Sequence, residues 1–438
     1  MRVDYATLIP ALKHLLPEED LDDLGRAVAF IKRLREVTAS WFVWAVVLSR
    51  FGYGRPGFEQ ARDWYTTLTG ITVWPRPFQM RFKQVEAVRL FRRAFDQAVT
   101  RWWDVPGRQH PLARRFADVV VVDSTVMQIS DALRSVCWGT RLSAAELKLL
   151  VTMSVFGSLP LAADVVPGYQ HDMTLFPPMA RFRRDTLLLF DKGFVAYERL
   201  REIGAASLHY LCPMRLNGNP RIVAIHRAPV HARRALKAHP DGIWLRDVLP
   251  PTKRIRTTWD LEVTVRPITR AAADTTPVRT RLIIVAGPQG TQRPYLTDLA
   301  ATHWTPDALR ELYRLRWQVE LLFKELTQDL NLGVLPTKDP HAVQIFVWAS
   351  LIALAVSRTV SACFHPLRLS VGLAAHLRPR LVTRALRATI RLLAAALTGP
   401  RHLARLLLPH FVSELLRDIY SPDTERPDSF SRLRPLLA

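Results

Sequence analysis

The chain has 438 residues, 49% of them hydrophobic, which is enough for a large core spread over two or three domains. Lys and Arg total 61 against 39 Asp and Glu, a formal charge of +22. A globular protein this basic repels itself unless it meets a polyanion, so nucleic acid is the first partner to consider and an anionic membrane the second. Cys137, Cys212 and Cys363 are odd in number, far apart and in no CxxC spacing, which excludes a disulfide scaffold or a structural zinc finger and fits a reducing interior.

The N-terminal segment reaches acidic residues too soon for a secretory signal. Glu18, Glu19, Asp20, Asp22 and Asp23 suit the positive end of a helix expected to continue through LGRAVAFIKRLREV. A second helical stretch, FQMRFKQVEAVRLFRRAFDQAVTRWW, sets basic residues between apolar ones; a solvated amphipathic face and a DNA-contacting face both account for it.

From Ala117 the texture turns to strand. ADVVVVDSTVM carries the continuous valine run of a strand buried on both faces. LKLLVTMSVFG and PLAADVVPG predict a hairpin, TLLLFDKGF a fourth strand, YERLREIGA a crossover helix and SLHYLCPMR a further strand. Between Arg221 and Leu299, RIVAIHR, GIWLRDVL, LEVTVRPITR and RTRLIIVAG read as an all-β segment inserted in an α/β domain. Helix returns at Thr305, a cap with Pro306 behind it, and the single helix ELYRLRWQVELLFKELTQDLNL is expected from Glu311. Ala342–Ser357 is slightly short for a membrane span and predicts a buried helix. His341–Ser413 holds nine Arg and no Asp or Glu, which a polyanion-facing surface explains better than a solvated one.

The candidate chemistry sits on three of these elements. VVVV runs into Asp123 and LLLF into Asp191, two carboxylates at expected strand ends, where open α/β sheets build their sites. At about 100° per residue, Tyr313, Arg316, Glu320 and Lys324 share one narrow helix stripe beside a wider apolar one. An i,i+4 ion pair of Glu320 with Lys324 is the bland alternative. Three carboxylates meeting there can hold two Mg²⁺ ions roughly 4 Å apart, and flanking cations and a phenol can grip a phosphate backbone. His171 and Asp172, in GYQHD, are either a pair supporting that site or a turn-stabilising motif.

DST at Asp123, DKGF at Asp191 and YRLRWQVELLFK at Tyr313–Lys324 resemble the signatures of DDE transposases of the insertion-sequence-four (IS-four) family. The third motif is similar to that family's Y-R-E-K signature through Tyr313, Arg316 and Glu320, but Thr327 stands where the pattern has its lysine, and Lys324 lies one turn earlier. The resemblance covers roughly 118–331. It implies an α/β fold with an RNase H-like catalytic domain interrupted by a β-rich insertion. On that reading 1–115 is a helical N-terminal DNA-binding region, 116–200 the first part of the catalytic domain and 201–300 the insertion. Residues 301–345 would be the second catalytic part carrying Glu320, and 346–438 a helical, basic C-terminal region.

The resemblance implies Asp123, Asp191 and Glu320 as catalytic metal ligands for two Mg²⁺ ions, with Mn²⁺ able to substitute. Tyr313, Arg316, Trp317 and Lys324 would contact DNA, and Trp244, Trp259 or Trp304 would stack on a flipped base. The implied reaction is cut-and-paste transposition of double-stranded DNA by a homodimer in a synaptic complex. The implied setting is cytoplasmic, bacterial and nucleoid-associated, with no membrane. A catalytically inert or domesticated DNA-binding relative and a Mg²⁺-dependent nuclease of the same fold are the alternatives.

Overall fold

A computed structural model describes residues 5–399 apart from 34–35, 53–56, 104–110, 138, 140–144, 215–218, 267–275 and 364–378, and beyond 399 only 409–410 and 413–414. Its centre is one ten-stranded mixed sheet. The strands are β1 Asp118–Gln128, β2 Glu146–Ser154, β3 Leu159–Pro167, β4 Thr186–Phe190, β5 His209–Pro213, β6 Arg221–Arg227, β7 Ile243–Trp244, β8 Trp259–Val265, β9 Val278–Ala286 and β10 Gln292–Thr297. They lie in the order β3-β2-β1-β4-β5-β10-β9-β8-β6-β7. The pairs β1–β4 and β4–β5 are parallel and the others antiparallel.

Helices come from both ends of the chain. They are α1 Tyr5–Leu15, α2 Glu18–Ala27, α3 Ala39–Ser49, α4 Phe58–Thr69, α5 Pro75–Arg81 and α6 Val85–Trp103 before the sheet, and α10 Pro306–Arg314, α11 Trp317–Gln328, α12 Pro340–Cys363 and α13 Pro379–Thr398 after it. Between strands lie α7 Tyr197–Ala205, α8 Val230–Ala238 and α9 Leu245–Val248. The alternation of the strands sorts two cores. Val119, Val121, Leu187, Leu189 and Leu211 join the helices of both chain ends on one face. Val120, Val122, Leu188 and Phe190 join α7 and the β6–β9 strands on the other.

The hairpin, the β4–α7–β5 crossover and the cap are as the residues predict: Thr305 accepts from the Ala308 N–H at 3.2 Å, with Pro306 opening α10. Four expectations need correction. The acidic-led helix stops at Ala27, where Ala29 takes a left-handed φ of 61°, instead of running through the basic stretch after it. The stretch from Phe78 to Trp103 is broken between Arg81 and Val85. Strand β1 does not end at Asp123 but runs on to Gln128, because β2 pairs with it along that whole length. The Glu311 helix is two helices: Arg316 N–H reaches back to Tyr313 O and Val319 N–H to Arg316 O, a tight three-residue spacing that bends the chain at the site. A fifth correction falls in the inserted segment: GIWLRDVL is strand only at Ile243–Trp244 and then turns into helix α9, while strand β10 and helix α8 were not expected at all. Helix α12 is long and apolar enough to cross a membrane, yet 94% of its most apolar window is buried within the fold.

Candidate active site

Parallel pairing of β1 with β4 ends at Val122 and Phe190. The next residues are Asp123 and Asp191, so the two carboxylates stand side by side at the same level of adjacent strands. By the same alternation both occupy the face covered by α10–α12. There the bend between α10 and α11 turns Arg316 and Glu320 toward them. Arg316 Nη1 donates to Asp123 Oδ2 at 2.8 Å, and its Nη2 donates to Glu320 Oε1 at 2.5 Å. One guanidinium thus bridges a carboxylate four positions along and another 193 positions away in the chain. The i,i+4 pairing of Glu320 with Lys324 does not form; the i,i+4 partner of Glu320 is Arg316.

Burial pushes the Asp123 carboxyl up to about 6, and the negative neighbours Asp191 and Glu320 push it the same way, while the Ser124 N–H and Arg316 pull it down. Tyr313 donates to Phe190 O at 3.4 Å and packs on Tyr295 with ring centroids 4.9 Å apart; burial raises its hydroxyl far above the ordinary range. Hard oxygen donors, mutual repulsion among carboxylates and a cation drawn between two of them are what a divalent ion would meet and relieve. Among the described residues, however, no three carboxylate, His or Cys side chains close on one point. Arg316 stands between two of the carboxylates, Asp123 and Glu320, instead.

Lys324 and Trp317 lie outward, Trp317 with 56% of its surface exposed. Of the three tryptophans considered for base stacking, Trp259 is 1% exposed beside His231, and Trp304 is 6% exposed and stacked on Phe116. Both are core residues. Trp244 is 44% exposed, with Arg221 over its ring at 5.9 Å. Thr327 turns its hydroxyl back onto Phe323 O at 2.8 Å and Lys324 O at 3.2 Å.

A second polar group went unread in the sequence except at Asp172. Ser124 Oγ donates to Asp172 Oδ1 at 2.7 Å, and Lys148 Nζ donates to the same oxygen at 3.0 Å. The signal for Lys148 was a lone cation inside the otherwise apolar run of β2, where it is buried.

Residues 114–356, more than half of the chain, match the transposase DDE domain family. The transposase of insertion sequence IS421 of Escherichia coli is 38% identical over 58 residues, a match that spans 13% of this chain and 16% of that relative. The transposase of IS231F of Bacillus thuringiensis subsp. israelensis is 20% identical over 383 residues, 79% of this chain and 78% of that one. The piggyBac transposase synaptic complex with hairpin DNA, solved by cryo-EM, aligns with a TM-score of 0.44 and 9% identity over 98% of this chain and 84% of that one, too slight a likeness to carry an argument. By the extent of the domain match, the chain belongs to the DDE transposase family.

Proposed function

We propose that the chain is an active cut-and-paste DNA transposase with Asp123, Asp191 and Glu320 as its catalytic carboxylates. The observation that carries this reading is the Asp123–Arg316–Glu320 bridge, which joins two sequence-distant signature motifs at one point beside Asp191. The strand order β3-β2-β1-β4-β5, with only β2 running against the other four, supports an RNase H-like catalytic domain. The remaining strands would then be the β-rich insertion that interrupts this domain, and the domain as a whole would be flanked by a helical N-terminal DNA-binding region and a helical C-terminal one.

Asp123, Asp191 and Glu320 would hold two Mg²⁺ ions, which when bound stabilise the charge that develops on a phosphodiester under attack. Arg316 would leave the two carboxylates and turn to a non-bridging phosphate oxygen, exchanging two charge-assisted bonds for others of the same kind. Lys324 adds a charge along the same helix, and the fixed phenol of Tyr313 holds the Asp191 turn against α10. Trp244 and Trp317, both exposed, are the tryptophans able to stack on an unpaired base. Hydrolysis would leave a 3′-hydroxyl, whose attack on the second strand and then on target DNA completes transfer between two ends held by a homodimer, in the bacterial cytoplasm.

The test is Mg²⁺-dependent cleavage of duplexes carrying the element's own terminal inverted repeats, followed by transfer of a pre-cut 3′-end. Cutting that survives Asp123→Ala or Glu320→Ala would sink the proposal. Hydrolysis without any transfer would favour a nuclease. Thr327 motivates a second reading, an inert DNA-binding relative; Thr327→Lys that creates cutting in a silent wild type would support it.

A further inference from the structure

On the face of the sheet opposite Asp123, three side chains with no role in the reading above converge on the backs of both aspartate-bearing segments. Ser124, on β1, donates through Oγ to Asp172 Oδ1 at 2.7 Å, while its N–H donates to Asp123 Oδ1 at 2.9 Å. Lys148, on β2, donates to Asp172 Oδ1 at 3.0 Å and to Gln170 O at 2.5 Å, with only 8% of its side chain exposed. The other oxygen of Asp172 lies under the turn that follows Asp191: a Cβ built on Gly193 would stand 3.3 Å from Asp172 Oδ2. Arg199 repeats the tie, donating to Met173 O at 2.6 Å and to Phe194 O. Its guanidinium lies 4.5 Å from the Phe176 ring.

We infer that Asp172, held by Lys148, is a positioning residue that clamps the Asp123 strand to the Asp191 turn and sets the spacing of the two carboxylates. The physical grounds are these. Adjacent parallel strands fix the backbone up to Val122 and Phe190, where their ladder ends. Beyond that point Asp191 sits on a turn with no ladder to hold it against Asp123. Asp172 supplies the missing connection through one carboxylate: Oδ1 to β1 through Ser124, Oδ2 against Gly193. Lys148 serves the clamp because an unpaired carboxylate at this half-buried place would be costly, and a buried ammonium with two acceptors orients it. Outer partners of this kind usually alter ion affinity by 10–100-fold, roughly, without touching the ion.

The inference rests on the proposed carboxylate site, and manganese uptake by the DNA-free protein, followed by the loss of the free-ion paramagnetic resonance signal, tests both separately. Wild-type protein takes up manganese and Asp123→Ala does not. Asp172→Ala and the milder Ser124→Ala each need about tenfold more manganese. Asp172→Asn, which keeps an acceptor for Ser124, recovers most of that loss, and circular dichroism of all three remains that of the wild type. A wild type that takes up no manganese overturns the site and the clamp together. Uptake by Ser124→Ala and Asp172→Ala within about twofold of the wild type overturns the clamp alone. So does Asp172→Asn binding as weakly as Asp172→Ala. Should Asp172→Ala not fold, Ser124→Ala decides the matter by the same criterion.

Discussion

Arg316 is the residue on which the site turns. Its two bonds to Asp123 and Glu320 neutralise part of a carboxylate cluster, so the guanidinium and an entering cation compete for the same oxygens. Removing it should therefore separate binding of the ion from chemistry. Arg316→Ala is expected to take up manganese at about tenfold lower concentration, since two charge-assisted bonds no longer have to be broken, and to lose DNA cutting by about 10³-fold for want of a phosphate contact. An isothermal titration and a cleavage assay on the same preparation check the two halves; weaker ion uptake by the variant would refute the competition. The acid side follows from Asp123. With its carboxyl raised to about 6 in the ion-free protein, protons should compete with manganese and uptake should weaken as pH drops through that value; because Arg316 pulls the value down, Arg316→Lys, whose charge is less well placed, should move that weakening to higher pH. A pH series of manganese uptake by both DNA-free proteins measures it. Much of this was legible in the residues: Asp123, Asp191 and Glu320 stood out by order and by helix stripe. The bridging role of Arg316 was not, because a helix drawn without its bend does not say which carboxylates the guanidinium meets.

At the level of elements, α11 is pinned by an ion pair that periodicity could not announce. Arg358 on α12 donates to Glu325 Oε1 at 2.9 Å and to Oε2 at 2.7 Å, with its Nε on Ser158 O and Thr383 of α13 on the same carboxylate. Both partners are almost wholly buried, so neither can be left alone. Arg358→Leu should cost about 3–5 kcal/mol by stranding Glu325, and Arg358→Leu with Glu325→Leu should regain most of it, as buried pairs replaced whole usually do. Urea unfolding of the three proteins decides; a double variant as unstable as the single would show that the network does more than neutralise its own members. Strand β1 carries a second such test. Burial pushes Asp118 up to about 7, against hydrogen bonds from Ser154 Oγ at 2.9 Å and Val119 N–H at 2.7 Å and the charge of Arg183. The folded value lies above the ordinary 3.8, so the folded protein binds more protons than the unfolded chain between the two. The stabilising contribution is complete below the ordinary value and is lost as pH rises through about 7. From pH 5 to pH 8 the wild type should therefore lose about 2–3 kcal/mol relative to Asp118→Asn. Runs of valine and leucine revealed where strands lie; they could not reveal that one strand passes beyond Asp123, because the extension depends on β2 pairing with Ser124–Gln128.

For the molecule as a whole the charge of +22 needs a finer account than sequence allowed. The acid-free C-terminal stretch suggested a surface turned to a polyanion. In the fold, Arg358 serves Glu325, while Arg380, Arg384 and Arg387 converge on Asp329, so at least these four of its nine Arg are answered from within, by acids on and just after α11. A stretch without acids had them supplied by another element, a pairing that composition along the chain cannot register. These four Arg offer DNA less positive charge than their number suggests, and the salt dependence of binding distinguishes the sources. If DNA is the partner, affinity should fall log-linearly with salt, by roughly 10³–10⁵ between 50 and 200 mM for a contact with six to ten phosphates. Lys324→Ala, on an exposed position beside the site, should reduce the slope by about one. Arg380→Ala, whose guanidinium is occupied by Asp329 and Gln328, should leave the slope as it is and lower the unfolding midpoint instead. A slope reduced equally by both would mean that the C-terminal arginines leave their internal partners when DNA arrives, and that the helices following Glu320 move as it binds.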